Sequence, residues 1–172
     1  AAFYPPCSVQ VASIEAMRAC QVVVVAAGRN GKPGESRLDL LRDNARVVAD
    51  IGRTLAGFDG TIVLVSGSPA RKCKPGQVAL SSVGAAVEAL VRAVAPEIAP
   101  RRINVVSPGS IDTPMMAVQG EQRRALYEKI TAGHVIPRAG TADEVAKGIL
   151  FVIENDFVTG TTVDVDGGWL VS

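Results

Sequence analysis

Residues Gln21 to Ala26 form a near-continuous aliphatic run, short, β-branched and without polar alternation. That is the pattern of a strand buried on both faces of a parallel sheet. Four consecutive valines disfavour a helix there. Ser36 and Asp39 then fit a variant of the capping box, and Leu38, Leu41, Ala45, Val48, Ile51 and Leu55 recur at helical spacing. Gly57 and Asp59-Gly60 stop that helix, and Thr61–Val65 reads as a second buried strand. A long segment from about Val78 to Ile98 carries Leu80, Val83, Val87, Leu90, Val94 and Ile98 on one face, with Pro96 expected to bend or end it early. Ile103–Val106 is a third strand, broken by Pro108-Gly109. Gln119–Ala132 reads as a helix polar on one side, and Thr141 with Glu144 forms a capping box opening a helix through Glu154. Thr161–Val165 is a last strand, ended by Asp166-Gly167-Gly168. Upstream of all this, residues 1–12 with Pro5-Pro6 read as loop or edge segment, and Ser13 is placed to cap a short helix through Met17 and Ala19. Strands alternating with helices imply right-handed parallel crossovers, hence an α/β, doubly wound parallel sheet in a single domain over 1–172.

Composition narrows the function. The 172 residues are 48% hydrophobic and 20% charged, enough for a core and unlike a disordered chain. A net charge of +1 argues against a nucleic-acid partner, which needs a basic face. The longest unbroken aliphatic run, Val22–Ala27, is far short of the ~20 apolar residues of a membrane span, and no signal peptide is visible. Three cysteines (Cys7, Cys20, Cys73) form no Cys-x-x-Cys pair, and a single histidine, His134, leaves no metal-ligand set. The expectation is a reduced, cytoplasmic domain that takes a small-molecule ligand.

Two stretches carry family resemblances that meet near residue 70. Val22 to Gly28, then Lys32-Pro33-Gly34-Glu35-Ser36-Arg37-Leu38-Asp39-Leu40-Leu41, Asn44 and Thr61–Val65 before Ser68-Pro69 resemble the lactate/malate dehydrogenase family over residues 19–69. Gly84–Leu90, Ala95–Pro100, Arg102-Ile103-Asn104-Val105-Val106-Ser107-Pro108-Gly109-Ser110-Ile111-Asp112-Thr113-Pro114, Arg138-Ala139-Gly140 and Thr159-Gly160 through Asp166-Gly167-Gly168 are similar to the C-terminal half of short-chain dehydrogenases/reductases over residues 76–172. Both resemblances imply a Rossmann-like fold and an NAD(P)-dependent oxidoreductase. In that frame the sheet is truncated, with the first mononucleotide-binding half expected to be absent. No Gly-x-Gly-x-x-Gly or Gly-x-x-x-Gly-x-Gly turn follows a strand to hold a pyrophosphate.

The resemblances also assign site residues. On the short-chain side, Pro108, Gly109, Ile111 and Thr113 match the segment lining the nicotinamide, and in the lactate/malate-like stretch Gly28, which ends the first aliphatic run, is a further cofactor-binding candidate. Short-chain reductases need a tyrosine acid, a lysine one helical turn later, and a serine that polarises the substrate oxygen. Here the tyrosine position is Leu80, the lysine position Gly84 and the serine position Gly67, flanked by Ser66 and Ser68. Asn44 matches the helix asparagine that supports the lysine. On the malate/lactate side Arg37 matches a carboxylate-clamping arginine, but its companion position is Gly31 and the catalytic histidine has no counterpart, because His134 lies in the short-chain-like half. His134, in the segment resembling a substrate lid, is a candidate substrate contact able to titrate near neutral pH. Arg71, Lys72 and Lys74 form a basic cluster that suits a phosphate or acidic ligand, with a solvated loop as the plainer alternative.

Two functional readings stand side by side. One is an oxidoreductase-family domain with an impaired proton relay. The other is a non-catalytic module that assembles with itself or with a complete dehydrogenase, using the helix pair 36–56 and 78–98 and the last strand. In either reading the strand 22–26 lacks an inner neighbour, and an exposed strand edge predicts a homo-oligomer.

Overall fold

A computed structural model describes residues 8–26, 34, 36–114, 116 and 118–172, without the side chains of Arg37, Leu38, Leu40 and Leu41. The chain forms two compact units. The first comprises Ala1–Gln21 and Ala27–Asp59, the second Val22–Ala26 and Gly60–Ser172.

In the first unit a 3-10 turn, Ile14–Ala19, precedes helix α1, Arg37–Thr54. Ser13 makes no side-chain capping bond to that turn, contrary to the expectation from its position. Ser36 does cap α1: its Oγ accepts from the Asp39 N–H at 3.2 Å and donates to the Asp39 carboxylate at 2.6 Å. Asp39 thereby answers the cap and places a negative charge against the helix N-terminus. At the other end, Arg18 Nε donates to the Thr54 carbonyl at 3.1 Å, tying the turn to the last residue of the helix.

The second unit is built on strands β1 (Val22–Val25), β2 (Thr61–Val65), β3 (Ile103–Pro108) and β6 (Thr162–Val165), all parallel in the order β1-β2-β3-β6. The expected strands are all present. The β3 ladder runs two residues further than its aliphatic pattern, because Ser107 and Pro108 pair with Asp164 and Val165. A further pair of two-residue strands, β4 (Ile111–Asp112) and β5 (Gly140–Thr141), has no hydrophobic signature and comes only from backbone pairing.

Side chains alternate across a strand, so the sheet has two separate packing faces. On one face Val63 and Val106 meet Val152 of helix α4, Ala142–Glu154, with Val145, Ile149, Ile153, Val163 and Val165 around them. Thr141 and Glu144 close the expected capping box at the start of α4. Its C-terminal end is satisfied by Arg102, whose guanidinium donates to the carbonyls of Val152 (2.7 Å), Ile153 (2.7 Å) and Val158 (3.1 Å). Asn104 is fully buried beside it, with Nδ2 donating to Val158 O and Oδ1 accepting from Thr161 N–H.

On the opposite face lies helix α2, Val78–Glu97. The helix continues through Pro96 for one residue rather than stopping before it. Its rotation also differs from the stripe read in the sequence. Leu80, Val83 and Leu90 are exposed, while Glu88 and Val91 are buried and Gly84 and Ala95 make close contacts, to Ala70 and Gly160. Both sides of α2 are apolar, so periodicity alone could not choose between them. The close approach at Gly84 sets the choice. By length and composition α2 is also, among the described residues, the one helix apolar enough to cross a membrane. Helix α3, Gly120–Thr131, completes the unit.

Candidate functional site

Parallel strands of this kind gather ligand contacts at their carboxyl ends. There β2 runs into Ser66-Gly67-Ser68 and a 3-10 turn, Ser68–Ala70, before α2 begins at Val78. The three short-chain chemistry positions lie here. Leu80 is 58% exposed and carries no proton. At Gly84 a Cβ would stand 2.9 Å from the Ala70 Cβ and 3.4 Å from its Cα, so the turn occupies the space where a side chain would begin. Gly67 is different: its backbone is extended and a Cβ would make only ordinary contacts, 3.5 Å to Pro69 and 3.7 Å to the Pro108 carbonyl.

Ser66 faces α2. Its Oγ donates at 3.1 Å to Oε1 of Glu88, a carboxylate only 3% exposed. Arg71 Nε contacts the other oxygen, Glu88 Oε2, at 3.1 Å, and the same guanidinium forks onto Asp164 of β6. The hydrogen bond to Asp164 holds the Arg71 pKa above its ordinary value, against partial burial, with the charge of Glu88 assisting. A buried carboxylate of this kind persists because it is paired and hydrogen-bonded. Ser68 is buried at the start of the 3-10 turn. Sequence reasoning missed Glu88 and Asp164. A carboxylate flanked by Val87 and Val91 at helical spacing was the available signal, but it reads equally well as a solvated position until the helix rotation is known.

The basic cluster is engaged from within. Besides the Arg71 contacts, Lys72 Nζ donates to the Trp169 carbonyl at 2.8 Å and to the Ser172 carbonyl, and lies 4.1 Å from the Trp169 ring centre. Lys74 Nζ lies 4.7 Å over the same ring. His134 is 8% exposed and tilts against Trp169 with ring centres 5.0 Å apart. Its pKa is pushed below the usual histidine value by burial first and then by Lys74 and Lys72, with Asp166 opposing. The residue read as a lid contact is therefore packed into protein.

Pro108, Gly109, Ile111 and Thr113 form a continuous strip from the end of β3 through β4. A Cβ at Gly109 would stand 2.7 Å from the Asp166 Cα, so only glycine lets the strip pass the last turn so closely. The Ile111 carbonyl accepts from Tyr127 Oη at 2.9 Å, and the Thr113 carbonyl from Arg123 at 2.6 Å, which also binds Asp112. Tyr127 and Arg123 thus moor α3 to the strip. Beside the strip lies a cavity of about 250 Å³ bordered by Ser110, Ile111, Arg138, Glu144, Asp166 and Gly167. At its rim Arg138 and the Thr141 N–H bring the Glu144 carboxyl down to about 2. Of the remaining candidates, Asn44 is half-buried on α1 in the first unit, Arg37 opens α1, and Gly28 and the Arg37 side chain lie outside the described residues.

Comparison with known proteins agrees with this geometry. Residues 44–170 match the family model described as Enoyl-(Acyl carrier protein) reductase, and residues 2–80 match the lactate/malate dehydrogenase NAD-binding domain. Carbonyl reductase family member 4 of Danio rerio is 36% identical over 118 residues, covering 67% of this chain and 47% of that protein. The 3-oxoacyl-[acyl-carrier-protein] reductase of Pseudomonas aeruginosa is 40% identical over 102 residues, covering 56% of this chain and 40% of that protein. The chain thus spans less than half the length of these curated relatives. Among solved structures, a small-chain dehydrogenase in complex with NADPH superimposes with a TM-score of 0.73 at 26% identity, covering 93% of this chain and 81% of that one. The Rossmann-like parallel sheet, the Pro108–Thr113 strip and a family match over 44–170 all place this chain in the short-chain dehydrogenase/reductase family of oxidoreductases.

Proposed function

We propose that this chain is an NAD(P)-class short-chain oxidoreductase domain that has lost its proton relay, keeping the fold and part of the nicotinamide-lining strip without driving turnover. The observation that carries this reading is the closed contact between Gly84 and Ala70. A reduced nicotinamide supplies hydride to a carbonyl carbon, and the oxygen must then gain a proton from the protein. Leu80 has none to give. Position 84 has no room for a lysine side chain, and the Ser66 hydroxyl is committed to Glu88. The residues here fit a cofactor only in part. Pro108, Gly109, Ile111 and Thr113 would line the ring, but two of the strip's carbonyls already serve Tyr127 and Arg123.

The test is calorimetric titration with NADH and NADPH, followed by a search for ketone or oxaloacetate reduction at high enzyme concentration. The expected result is saturable binding without turnover in the native chain, and still none in the double variant Leu80→Tyr/Gly84→Lys. Measurable hydride transfer by the native chain would overturn the proposal.

A second reading, an assembly module, is favoured by apolar side chains left open on α2, where Leu80, Val83 and Leu90 are all exposed. Several large apolar side chains exposed on one helix are the usual mark of a surface that another chain covers. A homo-oligomer or a complex with a complete dehydrogenase follows from that reading, and absence of any cofactor binding would favour it over the first.

A further inference from the structure

Residues Arg71–Gln77 form a strap between the Ser68–Ala70 turn and α2, with one side chain on strand β6 and two on the last turn of the chain. Arg71 binds Asp164, Lys72 binds the carbonyls of Trp169 and Ser172, and Lys72 and Lys74 both sit over the Trp169 indole. The same indole receives His134 from the segment after α3. That segment is fastened nearby, with the Ile136 N–H donating to the Gly167 carbonyl at 2.8 Å and Val135 packed against Gly168. Trp169 is therefore the one side chain shared by the strap, the lid-like segment and the final turn.

We propose that His134 is a protonation switch on this latch: as neutral imidazole it packs on Trp169 and leaves the indole to Lys72 and Lys74, and as imidazolium it drives those two lysine side chains off the ring. The charged groups that reach the imidazole are Asp166 on the turn after β6 and Lys72 and Lys74 on the strap, while the Trp169 ring it packs on contributes no net charge. One carboxylate thus faces two ammonium groups, and that carboxylate is already accepting from the Gly168 and Leu170 N–H groups. A third cation around one indole, beside a His134 ring that is itself 8% exposed, raises the energy of the gripped state relative to the released one. The strap backbone is itself tied to Ser68 and Gln77, and Asp166 accepts from the Gly168 and Leu170 N–H groups, so the side chains of Lys72 and Lys74 are the partners that swing away.

The chain has one tryptophan and one histidine, which makes the test clean. Acrylamide quenching of Trp169 fluorescence is measured from pH 8 to pH 5 with far-UV circular dichroism alongside. The expected result is a rise in the quenching constant of about twofold, with a midpoint below the ordinary histidine value and an unchanged dichroism spectrum. His134→Gln should abolish the step, and His134→Phe should do the same by a different packing. Lys72→Gln/Lys74→Gln should give the high constant already at pH 8. A flat profile in the native chain, a step of equal size in His134→Gln, or a step that coincides with loss of secondary structure would overturn the proposal. No cofactor enters the measurement, so its outcome is independent of whether the domain binds NAD(P).

Discussion

Replacing Gly84 by alanine tests whether the lysine position is merely vacant or structurally closed. In the middle of an exposed helix the change from glycine to alanine stabilises by about 1 kcal/mol. Here the added Cβ meets the Ala70 Cβ at 2.9 Å and its Cα at 3.4 Å, whereas ordinary contacts begin near 3.4 Å. The turn must give by about half an ångström, and its movement is resisted by the Ser66–Glu88 and Arg71–Glu88 bonds on either side of it. Overpacking of this kind costs about 1–3 kcal/mol. The two effects leave Gly84→Ala less stable than the native chain by about 0–2 kcal/mol, instead of more stable by about 1. Ala86→Gly, exposed on the same helix, calibrates the propensity and should lose about 1 kcal/mol. Urea unfolding followed by circular dichroism measures all three, and thermal midpoints should move by about 2–4 °C per kcal/mol in a chain of this size. If Gly84→Ala gains as much as Ala86→Gly loses, the seam is open and the argument against a restorable lysine fails.

Arg102→Lys should destabilise nearly as much as Arg102→Ala, by about 2–4 kcal/mol, because an ammonium cannot fork onto the Val152, Ile153 and Val158 carbonyls together; amide exchange at the end of α4 should accelerate in both. Stability should fall in two acid windows. His134 has a depressed pKa, so the unfolded chain takes up its proton first and stability is lost as pH drops below the ordinary histidine value. Glu144 is also depressed, and its contribution is complete above its ordinary value of 4.5 and lost as pH falls towards about 2. Urea midpoints measured against pH, with His134→Gln removing the upper window and Glu144→Gln the lower, check both signs. Leu80→Glu/Leu90→Glu should shift sedimentation of the chain towards the monomer; a native chain that is already monomeric at micromolar concentration would remove the basis for assembly through α2.

What the linear chain determined was local. The β-branched runs at Val22–Val25, Thr61–Val65 and Ile103–Val106 read as parallel strands, although Val24 at the sheet edge is exposed rather than buried, and Ser36 and Thr141 with their acidic partners marked two helix starts, because caps and runs are contacts between residues near in sequence. The substitutions at positions 67, 80 and 84 were legible for the same reason: a fixed spacing along one helix and one strand end carries them. Which side of α2 meets the sheet was decided elsewhere, by the fit of Ala70 into Gly84 and of Gly160 against Ala95, contacts between residues distant in sequence on a helix apolar all round. That rotation buried Glu88 and gave Ser66 a partner. It was folding, too, that spent the basic cluster on Asp164 and Trp169 and packed His134 against the same indole. Charge and hydrogen-bonding capacity are properties of a residue, but whether they face a ligand or another part of the same chain depends on what the rest of the protein brings beside them.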